Sequence, residues 1–387
     1  GDDGAEHTLY KICKYDNINK HIVISFKGSE KYFLFLKKLG IQVYCLDIKF
    51  FSIHKFLFLI KLLYLHKPNV VQTWLVHADF IGGIAARFAG IKNILWNIRY
   101  SNIEIGKAKF TTILIIKLLS ILSYIIPKSI ITVSRKAKKI YEKKGYNGKI
   151  IKFIPNGYDL SILKINKSQS INFKKKIKFK KQIPLIGNVA RYDLQKDHLN
   201  LLNALSLLRL RNVKFFCILV GFNIDQNNIN LISNIKKLKL SNHTKLLGQN
   251  KNISEVMNGI DLHVLSSAYG EGFPNVLVEG MAAGLAPVAT DVGDCDRIIG
   301  EVGEIIAPRD VDSFAGAINN LIHLGRKGQG RLAVWRLSLE ETRAPVSGIS
   351  GKRKGVRRLN QRPGLSATGK LAKKKATEIA SGSPFLV

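Results

Sequence analysis

Asp261-Leu262-His263-Val264-Leu265, followed by Tyr269-Gly270-Glu271-Gly272-Phe273-Pro274-Asn275-Val276-Leu277-Val278-Glu279, is the stretch whose reading decides the fold. The first five residues form an apolar run with polar flanks, which reads as a strand. Gly270 and Gly272 let the backbone turn sharply and approach a ligand closely. Pro274 suits the first turn of a helix, where its missing N–H costs nothing. A strand, a glycine turn and a helix start together make an anion and polyol site. Unpaired N–H groups and the helix dipole then face a phosphate or sugar hydroxyls. Glu271 in the loop and Glu279 on the helix stand eight positions apart, each able to accept hydrogen bonds from hydroxyls. An isolated glutamate of this kind is ordinarily a solvated side chain. The flanking glycines, the proline and the strand favour a site instead.

Outward from this stretch the chain repeats one pattern. Upstream, short apolar strands at Leu185–Ala190, Lys214–Val220 and Thr244–Leu247 alternate with helical runs at His198–Leu208, Asn228–Leu238 and Ile253–Met257. Downstream, Gly280 to Gly293 adds a small-residue helix end, a buried strand and another glycine turn. The first half alternates in the same way, with strands at 22–26, 43–46, 70–73, 94–98 and 130–133. Alternation of this kind predicts parallel sheets covered by helices, in two doubly wound domains. The turn Ile154-Pro155-Asn156-Gly157 is the expected junction. The expected domains are therefore 1–155 and 156–324, with 325–387 as an atypical basic tail expected to be disordered. Lys174 to Lys181 reads as a solvated insertion, and Thr111 to Ile126 as a core helix with an interfacial face, too short to span a membrane.

Composition narrows the class. With 387 residues and 46% hydrophobic content the chain is long enough for two ordinary cores. The cysteines Cys13, Cys45, Cys217 and Cys295 show neither a CxxC nor a Cys/His cluster, which argues against a zinc site and fits a reducing compartment. The chain opens Gly-Asp-Asp-Gly, unlike a signal peptide. The net charge of +34 points to an anionic partner or to compositional drift in an Ile-, Asn- and Lys-rich sequence. Aromatics are not interleaved with the basic runs, so no nucleic-acid partner is expected. From 325 to 387, fifteen Lys or Arg stand against three Asp or Glu, while isoleucine and asparagine nearly vanish. Such an abrupt change is what a shifted reading frame would leave.

Three further groups are candidates for chemistry. Arg191 and Lys196 follow the Leu185–Ala190 strand, where two cations suit a diphosphate. His77 and Asp79 follow the Val70–Thr73 strand and are placed to orient an acceptor hydroxyl; a structural histidine and a helix-capping aspartate are the competing roles. Arg99 ends another strand of the first half. No Asp-x-Asp motif sits where a divalent metal would be expected, so no metal site is assigned.

The stretch from Ser266 to Asp310 resembles the donor-sugar site of retaining glycosyltransferase family four, the group 1 type with the GT-B fold. The resemblance rests on a glutamate, seven residues and a second glutamate, with Gly-Phe-Pro-Asn between. It implies an α/β chain of two Rossmann-like domains facing a central cleft. It also implies donor binding through Gly272, Phe273, Pro274, Asn275, Val276 and Glu279, with Glu279 on the ribose. Arg191 and Lys196 resemble the family's basic pair, which stabilises the leaving diphosphate without a metal, and Glu271 would position the donor sugar. Gly4 falls in a segment similar to the family's Gly-Gly-Ala-Glu loop, with Asp3 in place of the first glycine and the opening strand missing. Arg99 stands where many relatives present a histidine. The tail does not resemble the family's C-terminal helix.

The function implied is transfer of a hexose or N-acetylhexosamine from a nucleotide-diphosphate sugar to a surface-polysaccharide or lipid-linked acceptor. No cofactor is implied beyond that co-substrate. The expected setting is cytoplasmic, with peripheral contact at the inner face of the cell membrane. A nucleotide-sugar epimerase on the same fold, and an inactive donor-binding copy, are the competing readings.

Overall fold

A computed structural model describes residues 4–27, 31–48, 52–99, 110–158, 165–180, 182–250, 252–324 and 385–386. The described residues form two compact units. One comprises those of Gly1–Asn156, Tyr269–Asn275 and Ala380–Val387; the other comprises those of Gly157–Ala268 and Val276–Ile379. The tail from 325 to 384 lies outside the described residues, and with it the expectation of disorder there.

The first unit runs α1 (Gly4–Tyr15), β1 (His21–Ser25), α2 (Lys31–Lys38), β2 (Gln42–Cys45), α3 (Ile53–His66) and β3 (Val70–Trp74). It continues with α4 (Val76–Phe88), β4 (Ile94–Ile98), α5 (Phe110–Leu122), β5 (Ser129–Thr132), α6 (Arg135–Lys143) and β6 (Ile151–Phe153). The second unit runs α7 (Lys167–Lys176), β7 (Leu185–Val189), α8 (His198–Leu210), β8 (Phe216–Val220), α9 (Ile229–Lys237), β9 (Thr244–Leu246) and α10 (Ile253–Gly259). Next come β10 (Leu262–Leu265), α11 (Asn275–Ala282), β11 (Pro287–Thr290), α12 (Cys295–Ile299), β12 (Glu304–Ile306) and α13 (Val311–Leu324). A last strand, β13, is Phe385–Leu386.

Both sheets are parallel. The second has the order β12-β11-β10-β7-β8-β9, the doubly wound plan that the alternation predicts. The first has the order β2-β1-β13-β3-β4-β5-β6. Phe385–Leu386 pairs in parallel with both β1 and β3, in the position where the sequence reading missed an opening strand. Two interior strands held apart would leave backbone N–H and C=O groups unpaired, and β13 satisfies them. Small residues draw α4 onto this sheet. A Cβ on Gly83 would lie 2.9 Å from the Trp96 indole nitrogen, and one on Gly82 3.1 Å from the Thr73 methyl.

Two expectations need correction. Gly4 does not lie in a loop; it begins α1. Lys174 to Lys181 is not wholly a solvated insertion, because Lys174–Lys176 end α7, whose Phe173 is 1% exposed. That ring lies where a Cβ on Gly259 would be, 2.1 Å away, so a glycine is required on α10. Lys174 also pairs with Asp261 at 3.2 Å, which fastens the helix to the start of β10. Helix α5 buries Ile116 and Leu119 in the first core, while Phe110, Leu114, Leu118 and Ile121 are exposed.

Candidate functional site

In the second unit the site grows from the carboxyl ends of three adjacent strands, β7, β10 and β11. All the residues of these strands are buried, so polar groups near their ends must find partners within the fold. The Asn188 amide donates to the Val264 carbonyl at 2.9 Å, tying β7 to β10. Thr290 donates its hydroxyl to the Ser267 carbonyl at 2.6 Å, tying the end of β11 to the same edge.

The chain leaving β7 then makes a short turn. Arg191 begins it and Lys196 ends a 3-10 turn over Leu194–Lys196. Asp193 accepts from the Gln195 N–H at 2.8 Å, and Asp197 caps α8 by accepting from the Asn200 N–H at 3.2 Å. The turn is fastened to the segment after β10 by two further bonds. Ser266 donates its hydroxyl to the Lys196 carbonyl at 2.8 Å, and the Ala268 N–H donates to the Gln195 carbonyl at 2.8 Å. The Arg191 guanidinium lies 3.3 Å from the Gln195 amide oxygen and 3.7 Å from an Asp193 carboxylate oxygen. Both cations are thus carried on a braced backbone at the carboxyl edge of the sheet.

The backbone there is close-packed. Gly221, with φ +157, follows β8, and a Cβ on it would lie 2.0 Å from the Ala190 carbonyl oxygen. Only glycine lets β8 leave the sheet so near the residue before Arg191. Helix α11 begins at Asn275, so Pro274 stands immediately before it rather than inside its first turn. Glu279 is half-buried on this helix. Gly280 presses on His263, whose ring is wholly buried and makes no hydrogen bond among the described residues. Burial pushes that imidazole down to about 4, leaving it neutral near pH 7.

In the first unit, Tyr269–Asn275 carries Glu271, Gly272, Phe273 and Pro274, all buried. Glu271 is 6% exposed and therefore not a solvated turn residue. A Cβ on Gly272 would lie 2.6 Å from the Arg99 carbonyl oxygen, which explains a glycine between the glutamate and the helix. Arg99 stacks on Trp74, 4.2 Å from the ring centroid, and donates to the Asn156 side-chain oxygen. Asn156 in turn donates to the Asn275 side-chain oxygen at 2.8 Å. The sequence reading treated Pro155-Asn156-Gly157 as structural and missed this chain of contacts.

Asp79 and His77 occupy the first turn of α4. His77 is exposed, whereas Asp79 is 2% exposed and accepts the Thr73 hydroxyl at 2.5 Å. It is not the helix cap: that position is Leu75, which has φ 73 and ψ 157 and makes no side-chain cap bond. This is backbone that L residues rarely adopt, and such strain gathers at functional sites. Burial pushes the Asp79 carboxyl up to about 7, against the Thr73 hydroxyl and the Asn97 backbone, which favour its charged form. Leu75, Val76, Asp79, Ile98, Arg99, Tyr141 and Tyr146 line one hollow. The structure thus places Asp79 and Arg99 together, leaves His77 outside, and puts Gly4 on α1.

Residues 169–331 match the family model described as glycosyl transferases group 1. The crystal structure of Anabaena Alr3699/HepE in complex with UDP-glucose superposes with a TM-score of 0.77 at 18% identity, covering 99% of this chain and 97% of that one. Residues 169–331 thus resemble the glycosyl transferases group 1 family, and the chain has the GT-B fold. It is 28% identical to EpsF of Bacillus subtilis (strain 168) over 178 residues, 46% of each chain. It is also 28% identical, over 272 residues, to the UDP-Gal:alpha-D-GlcNAc-diphosphoundecaprenol alpha-1,3-galactosyltransferase of Escherichia coli, covering 67% of this chain and 68% of that protein. The match to EpsF therefore spans less than half of that relative's length.

Proposed function

We propose that the protein is a retaining, metal-independent glycosyltransferase. It moves a hexose or N-acetylhexosamine from a nucleotide-diphosphate sugar to a surface-polysaccharide or lipid-linked glycan acceptor. The observation that carries this is the braced Arg191–Lys196 turn, which holds two cations at the carboxyl edge of a parallel sheet. Charge fixed in advance, aimed at charge that develops in the transition state, is usually the largest catalytic term. Here the developing charge is on the departing diphosphate, with Arg191 forking two oxygens and Lys196 acting as a point charge. Glu279 holds the ribose, and Glu271 positions the donor sugar.

In the reaction, the bond from the anomeric carbon to the phosphate oxygen breaks and a bond from the acceptor oxygen forms on the same face. The acceptor proton passes to the departing phosphate oxygen, so no protein nucleophile is required. Asp79 and Arg99 orient the acceptor. The relatives named above include one that uses UDP-Gal on a diphosphoundecaprenol-linked sugar, which favours a lipid-linked acceptor for this chain as well. A peripheral position at the inner face of the cell membrane follows from such an acceptor.

The test incubates the protein with radiolabelled UDP- and GDP-sugars, with and without EDTA, and follows transfer and slow hydrolysis. Turnover unaffected by EDTA is the expected result, with retained anomeric configuration in the product. Strict loss with EDTA, or an inverted product, would overturn the corresponding part. An epimerised donor without transfer would favour the epimerase reading.

A further inference from the structure

Asn156 is held by two partners of opposite kind. Its side-chain oxygen accepts from the Arg99 guanidinium at 2.5 Å, and its amide nitrogen donates to the Asn275 side-chain oxygen at 2.8 Å. These bonds fix which way round each amide stands. A guanidinium only donates, so the Asn156 oxygen must face it and the Asn156 nitrogen must face Asn275. The nitrogen of the Asn275 amide is then turned away from Asn156. The contacts run in one direction, from cation to carbonyl and then from amide to carbonyl. A chain of this polarity that starts at a positive charge strengthens each later donor. Its far end is the NH2 group of Asn275, the first residue of α11.

Arg99 is itself fixed at both its backbone and its head. The guanidinium stacks on Trp74, 4.2 Å from the ring centroid. The Arg99 carbonyl oxygen lies 2.6 Å from where a Cβ on Gly272 would be. The segment from Gly272 to Asn275 is therefore set against residue 99 at two points, by backbone packing at one end and through Asn156 at the other. We propose that Asn156 is a positioning residue. It passes the orientation of Arg99 to the Asn275 amide, so that this amide presents its NH2 group, and not its carbonyl, to an oxygen of the nucleotide-diphosphate sugar. An amide suits this place because it accepts and donates at once. An aspartate here would still accept from Arg99. It has no donor for the Asn275 oxygen, so the Asn275 amide would turn over to donate to it and show its carbonyl to the ligand. Carbonyl against phosphate or hydroxyl oxygen is the wrong polarity for a phosphate and removes the donor that a hydroxyl oxygen could accept from.

This role rests on the reading of Asn275 as a donor-binding residue, and its test has one arm that needs no donor. In the first arm, urea unfolding is measured for Arg99→Ala, Asn275→Ala and the pair together, in the full chain with Asn156 present and again with Asn156→Ala. With Asn156 present, the double variant is expected to lose less than the sum of the two single losses; with Asn156→Ala the losses add. Additive losses with Asn156 present overturn the relay. In the second arm, UDP and GDP are titrated calorimetrically into wild type, Asn156→Ala and Asn156→Asp. Asn156→Asp keeps a partner for Arg99, yet is expected to bind the nucleotide about tenfold to a hundredfold more weakly, the scale of one hydrogen bond to a charged group. Asn156→Ala should lose less, because its Asn275 amide is released and not inverted. In hydrolysis of labelled UDP-glucose the same loss for Asn156→Asp appears in KM with kcat held, as expected for a ground-state contact. Nucleotide binding by Asn156→Asp equal to that of wild type shows that holding Arg99 is enough, and overturns the proposed role. A wild type that binds neither nucleotide while the first arm shows coupling sinks the proposed function and leaves the relay supported.

Discussion

Helix α8 of the second unit and helix α5 of the first make an instructive pair. Each has thirteen residues and each covers a parallel sheet. Helix α8 buries eight residues, including His198, Asn200 and Ser206, and joins a core with Phe314, Ile318 and Leu321 of α13. Helix α5 is the more apolar in sequence and buries two. Apolar content alone therefore does not decide burial; the number of neighbours that close over a helix does. The second unit spends its apolar residues on a rigid frame for charged loops, and the first leaves a share of them facing out.

The largest effect should come from breaking the frame of the second unit. Gly221→Ala drives a Cβ into the Ala190 carbonyl oxygen, at a position where the backbone has nowhere to move. A destabilisation above about 4 kcal/mol is expected, in the range reserved for named steric causes. Urea unfolding checks it. A variant within about 1 kcal/mol of wild type would show that this edge is softer than its packing implies.

Next in size is the charge that the frame supports. Lys196→Ala leaves the 3-10 turn intact, because Ser266 bonds the backbone carbonyl and not the side chain. The expected loss in kcat is about a hundredfold to a thousandfold, the scale of removing one preorganised group. Arg191→Lys should recover only part of the Arg191→Ala loss, since an ammonium lacks the guanidinium's fork. Unchanged turnover in Lys196→Ala, with unfolding like wild type, would remove this residue from the catalytic assignment.

What the sequence made legible follows the same division. In the second unit β7 to β10 and α8 to α10 could be read nearly residue by residue, because short buried strands bounded by polar residues leave little choice, whereas α12, β12 and α13 were not read. Arg191, Lys196 and the Glu271–Glu279 spacing were legible because they are local in the chain. The bracing of Lys196 by Ser266 was not, since it joins residues seventy positions apart through a strand pairing. The Arg99–Asn156–Asn275 chain was hidden for the same reason. In the first unit Phe385–Leu386 could not be placed from sequence, because two residues carry no periodicity. Helix α7 was obscured by its lysines, although Phe173 is buried on it.

A third test asks whether the first unit has its own fixed charge. The Asp79 carboxyl has a folded value of about 7 against an ordinary 3.8. Between these values the folded protein holds a proton that the unfolded chain releases. This residue's contribution therefore makes stability fall as pH rises from about 4 to about 7, levelling off above. Each pKa unit corresponds to about 1.4 kcal/mol, so the full change is at most about 4 kcal/mol. Asp79→Asn should remove that slope while keeping an acceptor for the Thr73 hydroxyl. Unfolding free energies of both proteins across this window decide it. Parallel curves would mean that Asp79 is ionised throughout, and that the hollow beside it is wetter than its lining suggests.

The smallest expected effect sharpens the comparison most. Phe88→Ser and Ile121→Ser remove side chains that are 73% and 65% exposed. If these residues face solvent, each should change stability by no more than about 0.5 kcal/mol, as surface substitutions do. The same replacement at Leu205 of α8, which is wholly buried, should cost several times more, about 3 kcal/mol or above. The contrast separates apolar residues that hold a unit together from those kept for something outside it. A large stability loss at Phe88 and Ile121 would place them in a core. A negligible loss leaves their apolar character without a role in folding, and a surface that water disfavours then calls for a partner.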